Sequence, residues 1–475
     1  MGRQARKFTV NWVKVFVERW PYRMSKFISI ISAAFVLCSV SISAHAQSIL
    51  RDAETEAIIR EYTDPILEAA GLVPEDVDLF IVQDPSLNAF VTGGQNIFLH
   101  TGLIIRAETP GQLKGVIAHE AGHIAGAHGA RRAGDFAKSS RSGYISIGLG
   151  IIALAAGAPE LGLALITNAQ QLTYLNFVSH TRAQESSADQ AGLTYLERTG
   201  QSGKGLVEFF EAFRYQEVLS QARRNEYFRT HPLASDRIAR LRTRAQNNGL
   251  WDTPDSDRSV QQLAMMHAKL IGFLEHPNKV YQRYPAEDES VPARYARPHA
   301  AIRSLDFDYA LQEADYLLEL APENPYFHEL KGFVMFESGD VAGSVEPYRD
   351  AVEMSDGDAQ LQISYARSMI ARGGPGDVED GETALRRSIL EDPENAFAWS
   401  ELAKALDKQG RRGEAELATA ERSYHAGDYA GAQNFSRRAM RNLDGGTPLH
   451  RRAEDIAAVT DPRLKENARY YQRRR

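Results

Sequence analysis

The chain has 475 residues, 43% of them hydrophobic and 25% charged, which suffices for real hydrophobic cores and for two or three domains. Its formal net charge is −7. Residues 1–46 carry seven basic residues and one glutamate, so the remainder stands at −13, a poor balance for a nucleic-acid binder.

The first expected element is a secretory signal peptide. Phe27 to Ser43 is an apolar run, preceded by Lys26 and followed by Ala44-His45-Ala46, an A-x-A cleavage pattern. Cleavage leaves Gln47 first, and the long basic lead makes Met24 an alternative start. The one cysteine, Cys38, lies inside this run behind Leu37, which does not suit a lipoprotein signal, so no lipid anchor is expected. The remaining chain then has no cysteine and forms no disulfide. An exported location follows as an expectation.

Residues 50–72 read as a helix. Leu79–Val82, Asn88–Thr92 and Asn96–His100 read as three short strands, with Gly93-Gly94-Gln95 as a turn. The next helix opens at Thr109-Pro110-Gly111-Gln112, a T-x-x-Q capping box with proline at the first helical position. Leu113, Val116, Ile117 and Ile124 give it an apolar stripe. Ala118, Gly122, Ala125 and Gly126 give it a small-residue side that a second element can approach. On this helix His119-Glu120-Ala121-Gly122-His123 spells H-E-x-x-H. Histidines four apart share a face and can hold one zinc ion. Glu120 lies about 100° round from His119, beside the metal face, which suits a general base that is not itself a ligand. His128 follows about 180° round from His119 on the same wheel, and is not expected to share the metal. His100 and His180 read as structural.

Residues 143–167 are strongly apolar and are broken by Gly157-Ala158-Pro159-Glu160. They read as a buried helical hairpin, a surface that docks on a membrane or membrane-protein complex, or a transmembrane hairpin. Thr181-Arg182-Ala183-Gln184 is a second T-x-x-Q box, opening a helix that ends near Gly200. Its Glu185 and Asp189 lie four apart on a face otherwise small and apolar. Burying them unpaired is expensive, so Glu185 is assigned as the third zinc ligand and Asp189 as acceptor for the second ring nitrogen of a ligand histidine. An edge strand beside a metal helix can hold substrate as an added strand, or can be purely structural.

Asp252–Asp257 reads as a linker. Beyond it small and aromatic residues recur with a period near 34: Ala310, Ala314 and Leu317; Gly332, Gly339, Tyr348 and Ala351; Trp399, Leu402, Leu406, Gly410 and Ala415; Gly427, Tyr429, Ala432 and Ala439. The spacing matches tetratricopeptide repeats, whose stacked helix pairs present a concave surface to partner segments. Gly373-Gly374-Pro375-Gly376 interrupts the register.

H-E-A-G-H, then Glu185-Ser186-Ser187-Ala188-Asp189, then Thr230-His231-Pro232 and Arg237, resemble the family of CAAX-prenyl and HtpX-type zinc endopeptidases, in particular its periplasmic branch with C-terminal repeats. The resemblance implies one Zn²⁺ per chain on His119, His123 and Glu185, with Glu120 as general base and Asp189 orienting. It implies Asn88-Ala89-Phe90 as the substrate-binding edge strand and a membrane-proximal 143–167. His231 matches a family histidine near the metal, as oxyanion donor or as a fourth ligand that keeps the enzyme latent. The implied substrates are unfolded or stalled outer-membrane proteins, with the β-barrel assembly machinery as a partner of the repeats. The alternative is a non-proteolytic chaperone or scaffold with a structural or latent zinc site. The expected architecture is mainly α. A signal peptide spans 1–46, an α+β zinc-peptidase domain with a small sheet 47–250, a linker 251–258 and an α-helical repeat solenoid 259–475.

Overall fold

The computed structural model describes residues 49–92, 95–128, 182–219, 231 and 235–461, all within one compact unit, Ser48–Arg475. The expected signal peptide with Cys38, the Gly93-Gly94 turn, the apolar segment 143–167, His180, Thr181, Thr230, Pro232 and the terminal arginines lie outside the described residues.

Among the described residues the chain is mainly α with one small sheet. Strand β1 (Ile49–Leu50) precedes helix α1 (Ala53–Ala69), whose N-cap Asp52 accepts a hydrogen bond from Thr55 N at 2.8 Å. Strands β2 (Leu79–Val82), β3 (Ala89–Thr92) and β4 (Asn96–His100) follow. Short apolar runs bounded by polar turns favour the extended chain here. The sheet order is β1-β2-β4-β3. β2 runs parallel to β4, with Leu79 opposite Ile97, while β3 runs antiparallel to β4, with Ala89 opposite Leu99. β3 is therefore an edge strand, and helix α3 (Pro110–Ala125) packs against it. Helix α2 (Thr101–Arg106) joins β4 to α3.

Helices α4 (182–198), α5 (Lys204–Leu219) and α6 (Ser235–Asn247) complete the first part of the unit. Its core gathers Ile59, Ile66 and Leu67 of α1, Leu99 of β4, Leu113, Val116 and Ile117 of α3, Leu193 and Leu196 of α4, and Phe209 and Phe210 of α5. Leu263, Met266 and Leu270 of α7 (Asp257–Leu274) join the same core. The segment read as a linker lies against these elements: Asp255 Oδ2 accepts from Gly111 N at 2.9 Å, and Ser202 Oγ donates to Trp251 O at 2.8 Å.

Eleven helices then follow one another: α8 (Pro277–Arg283), α9 (Val291–Arg303), α10 (Phe307–Leu320), α11 (Pro325–Ser338), α12 (Val341–Met354), α13 (Ala359–Arg372), α14 (Asp377–Glu391), α15 (Ala396–Lys408), α16 (Arg412–His425), α17 (Tyr429–Asn442) and α18 (Pro448–Val459). From α9 onward each packs on the next. Of the small residues read from the 34-residue period, Ala310, Ala314 and Ala351 are fully buried at these crossings, and the Tyr348 ring occupies the space beside Gly332, where a Cβ would fall 2.9 Å away, whereas Gly339, Gly410 and Gly427 take positive φ in the turns between helices. Gly373 and Gly376, both with positive φ, close α13 and open α14, so the interruption read in the sequence is a turn between two helices. The start of α1 is gripped by this array. Lys269 Nζ lies 2.7 Å from Asp52 and 2.9 Å from Glu329, Tyr295 Oη donates to Glu54 at 2.7 Å, and Arg51 pairs with Asp392 at 2.7 Å. Among the described residues no helix is long and apolar enough to cross a membrane.

Candidate metal centre

The site rests on the start of α3. Thr109 Oγ1 accepts from Gln112 N, and Gln112 Oε1 accepts from Glu108 N at 2.9 Å, one residue before the position a capping box uses. This fixes the phase of the helix, so Leu113, Val116 and Ile117 enter the core while His119, Glu120 and His123 lie buried on the neighbouring face. Helix α4 crosses that face at close range. A Cβ on Gly122 would stand 2.7 Å from Ala188 O, and one on Gly192 would stand 3.0 Å from Ala118 C. Glycine inside a helix costs about 1 kcal/mol against alanine, and here it lets α4 bring its carboxylates up to the histidines.

Four buried groups converge: His119, His123, Glu185 and His231, each offering one ligand atom, all within 4.8 Å of one another. Among the described residues no other His, Cys, Asp or Glu group gathers this way. His119 Nε2 lies 3.1 Å from His123 Nε2 and 3.5 Å from Glu185 Oε2, and His123 Nε2 lies 3.4 Å from Glu185 Oε1. His231 Nδ1 lies 3.0 Å from Glu185 Oε2 and 3.2 Å from His119 Nε2. Two imidazoles and a carboxylate around one point are a donor set that suits zinc. Both oxygens of Glu120 are buried without a hydrogen bond among the described residues, and Oε1 stands 3.5 Å from His231 Nε2. A carboxylate in that position is expensive unless something polar arrives beside it. The residues present therefore fit a bound metal with a base at its side.

Behind these groups, His119 Nδ1 faces Asp189 Oδ1 at 3.0 Å. Asp189 is gripped by Arg237 of α6 through two bonds, Nε to Oδ2 and Nη2 to Oδ1 at 2.7 Å, while Arg237 Nη1 lies 3.2 Å from Glu185 Oε2. The guanidinium also lies over the ring of Phe210, which packs perpendicular to the His119 ring. Burial works to lower the His119 pKa, but Asp189 and Glu185 outweigh it and lift it to about 9. Burial works to raise Glu185, yet His231 and His119 hold it well below the usual carboxylate range. Burial likewise opposes ionisation of Asp189, and Arg237 with His119 keeps it low. At neutral pH the metal-free site thus holds Glu185 and Asp189 ionised and His119 protonated, and a metal must displace that proton.

Two residues escaped the sequence reading. Arg237 appeared there only as part of a motif; its signal was that a buried Asp189 needs a cation. His128 was placed opposite the metal face by extending the helical wheel. The helix stops at Ala125, and the His128 ring instead meets His123, Nδ1 to Nδ1 at 3.0 Å. Of the expected substrate strand, Asn88 and Ala89 are buried, while Phe90 stacks on Phe98 with centroids 4.9 Å apart. All three lie at β3, beside the metal helix. His100 is buried, with Nδ1 2.9 Å from Ser86 Oγ.

Residues 50–245 match the model of peptidase family M48. The chain is 24% identical over 367 residues to the beta-barrel assembly-enhancing protease of Escherichia coli (strain K12), covering 75% of this chain and 72% of that one. It is 23% identical over 416 residues to the Yersinia pestis protein of the same name, covering 85% and 82%. A putative beta-barrel assembly-enhancing protease of Vibrio cholerae is 29% identical over 199 residues, 40% of each chain. The four converging groups and the arginine behind them all fall inside the matched stretch, so residues 50–245 resemble a metallopeptidase domain of family M48.

Proposed function

We propose that this protein is a zinc endopeptidase of the periplasm that cleaves unfolded or stalled outer-membrane β-barrel proteins and assists their assembly. The observation that carries the reading is Glu120, a buried carboxylate with no hydrogen bond, standing beside two imidazoles and a carboxylate arranged to hold a metal. A purely structural site has no use for such a base.

His119, His123 and Glu185 would hold the zinc. Bound there, it supplies a Lewis acid that polarises a peptide carbonyl and eases the ionisation of water. Glu120 takes the proton of the attacking water and delivers it to the leaving amine. Asp189, locked by Arg237, holds the ring of His119 in one orientation. The β3 edge at Asn88, Ala89 and Phe90 aligns an extended substrate through main-chain hydrogen bonds. The repeats deliver that substrate or dock on its assembly machinery, and residues 143–167 are the candidate membrane contact. The names of the relatives support the substrate class.

Of the two roles open to His231, the geometry favours the fourth ligand, because its Nδ1 stands among the ligand atoms. A side chain there occupies the position water needs and keeps the enzyme latent. His231→Ala is therefore expected to raise cleavage of an unfolded β-barrel protein several-fold over the wild type, followed by gel electrophoresis. A dead variant that still binds zinc would instead make His231 an oxyanion donor. Zinc binding without cleavage by either chain would favour the scaffold reading.

A further inference from the structure

A neutral imidazole that gives one nitrogen to a metal keeps its proton on the other, and that N–H needs an acceptor. For His119 the group facing that nitrogen is the Asp189 carboxylate, 3.0 Å from Nδ1. His123 turns Nε2 toward the cluster, 3.1 Å from His119 Nε2 and 3.4 Å from Glu185 Oε1, and turns Nδ1 away from it. What Nδ1 meets is the His128 Nδ1, at 3.0 Å, with the two rings edge to face. We propose that His128 is the positioning residue of His123: it accepts the Nδ1 proton and fixes the ring with Nε2 toward the metal. The inference rests on the metal-site reading given above.

The backbone is built for this contact. Helix α3 ends at Ala125, and Gly126 caps it with helical angles. Ala127 then takes φ +48°, a conformation that L residues other than asparagine and aspartate rarely adopt. That reversal folds His128 back over the last turn and buries it. Its ring lies where a side chain on Gly126 would be: a Cβ there would fall 2.4 Å from His128 Nε2. Gly126 thus clears the space and Ala127 supplies the turn, and both serve the placement of one imidazole. The choice of acceptor also has an electrostatic reason. The Glu185 and Asp189 carboxylates already crowd this buried site, with Arg237 paired to both. A neutral imidazole accepts the proton without adding another negative charge.

The test is the zinc affinity of the full chain, measured by competition with a chromophoric chelator, for the wild type, His128→Ala, His128→Gln, Gly126→Ala and Glu185→Ala. His128→Ala should bind zinc about 10–100-fold more weakly. His128→Gln, whose side-chain carbonyl can accept the same proton, should recover much of that loss, which a merely space-filling role would not produce. Gly126→Ala keeps the imidazole but displaces it, and should weaken zinc as His128→Ala does; it also serves if His128→Ala does not fold. If Glu185→Ala loses zinc while folded His128→Ala and Gly126→Ala bind within about twofold of the wild type, the inference is overturned and the metal site stands. If zinc binding is indifferent to Glu185 as well, both are overturned.

Discussion

Glu120→Gln is expected to lower peptide hydrolysis by about 10²–10⁴-fold while zinc affinity and thermal stability stay close to wild type. Glutamine keeps the size and shape of the side chain but cannot take a proton from water. The carboxylate it replaces is not in the ligand cluster and makes no hydrogen bond among the described residues, and the 3.5 Å approach of its Oε1 to His231 Nε2 involves neither His119, His123 nor Glu185. Steady-state cleavage of an unfolded β-barrel protein, with zinc content measured on the same sample, checks the result. Cleavage at the wild-type rate by the variant would remove Glu120 from the mechanism.

The second large effect concerns stability. Arg237 is buried and neutralises two buried carboxylates, bonding Asp189 twice and lying 3.2 Å from Glu185. Arg237→Met fills a similar volume but leaves those charges uncompensated. Breaking a buried pair from one side costs about 3–5 kcal/mol, and this loss is expected for the metal-free chain in urea unfolding. Saturating zinc should recover part of it, because the metal adds positive charge at Glu185 and binds only the folded site. Arg237→Lys should fall between the two, since an ammonium cannot reproduce the paired bonds to Asp189. A metal-free Arg237→Met chain within about 1 kcal/mol of wild type would show that the arginine does not hold this site together.

The legible parts of the site are those that local sequence determines. The capping box at Thr109 and the apolar stripe after it fix the phase of α3, and with it the faces of His119, Glu120 and His123. Glu185 and Asp189 stand out because two carboxylates on a small, apolar helical face demand a partner. The small residues of α3 announce a close crossing, and Gly122 against Ala188 is that crossing. The strands at 79–82, 88–92 and 96–100 are legible within a residue, but the parallel pairing of β2 with β4 depends on tertiary packing that no short window contains. β1 and α2 are too short to show a period. Arg237 lies 48 positions from Asp189, and only the fold brings them together. His128 stays outside the ligand cluster, as the sequence implies, but its contact with His123 is not legible, because wheel geometry holds only while the helix continues and Gly126 with Ala127 ends it before that residue. From α9 onward, alanines at the helix crossings are readable, whereas the grip of Lys269 and Arg51 on the start of α1 is not, because it joins residues about 200 to 340 positions apart.

The most direct measurement is metal removal and return. The full chain is stripped with a chelator, then titrated with zinc while cleavage of an unfolded β-barrel protein is followed. Cleavage is predicted to vanish in the metal-free chain and to return in full at one zinc per chain. Undiminished cleavage by the metal-free chain would contradict the assignment of His119, His123 and Glu185 as the ligands of a catalytic metal.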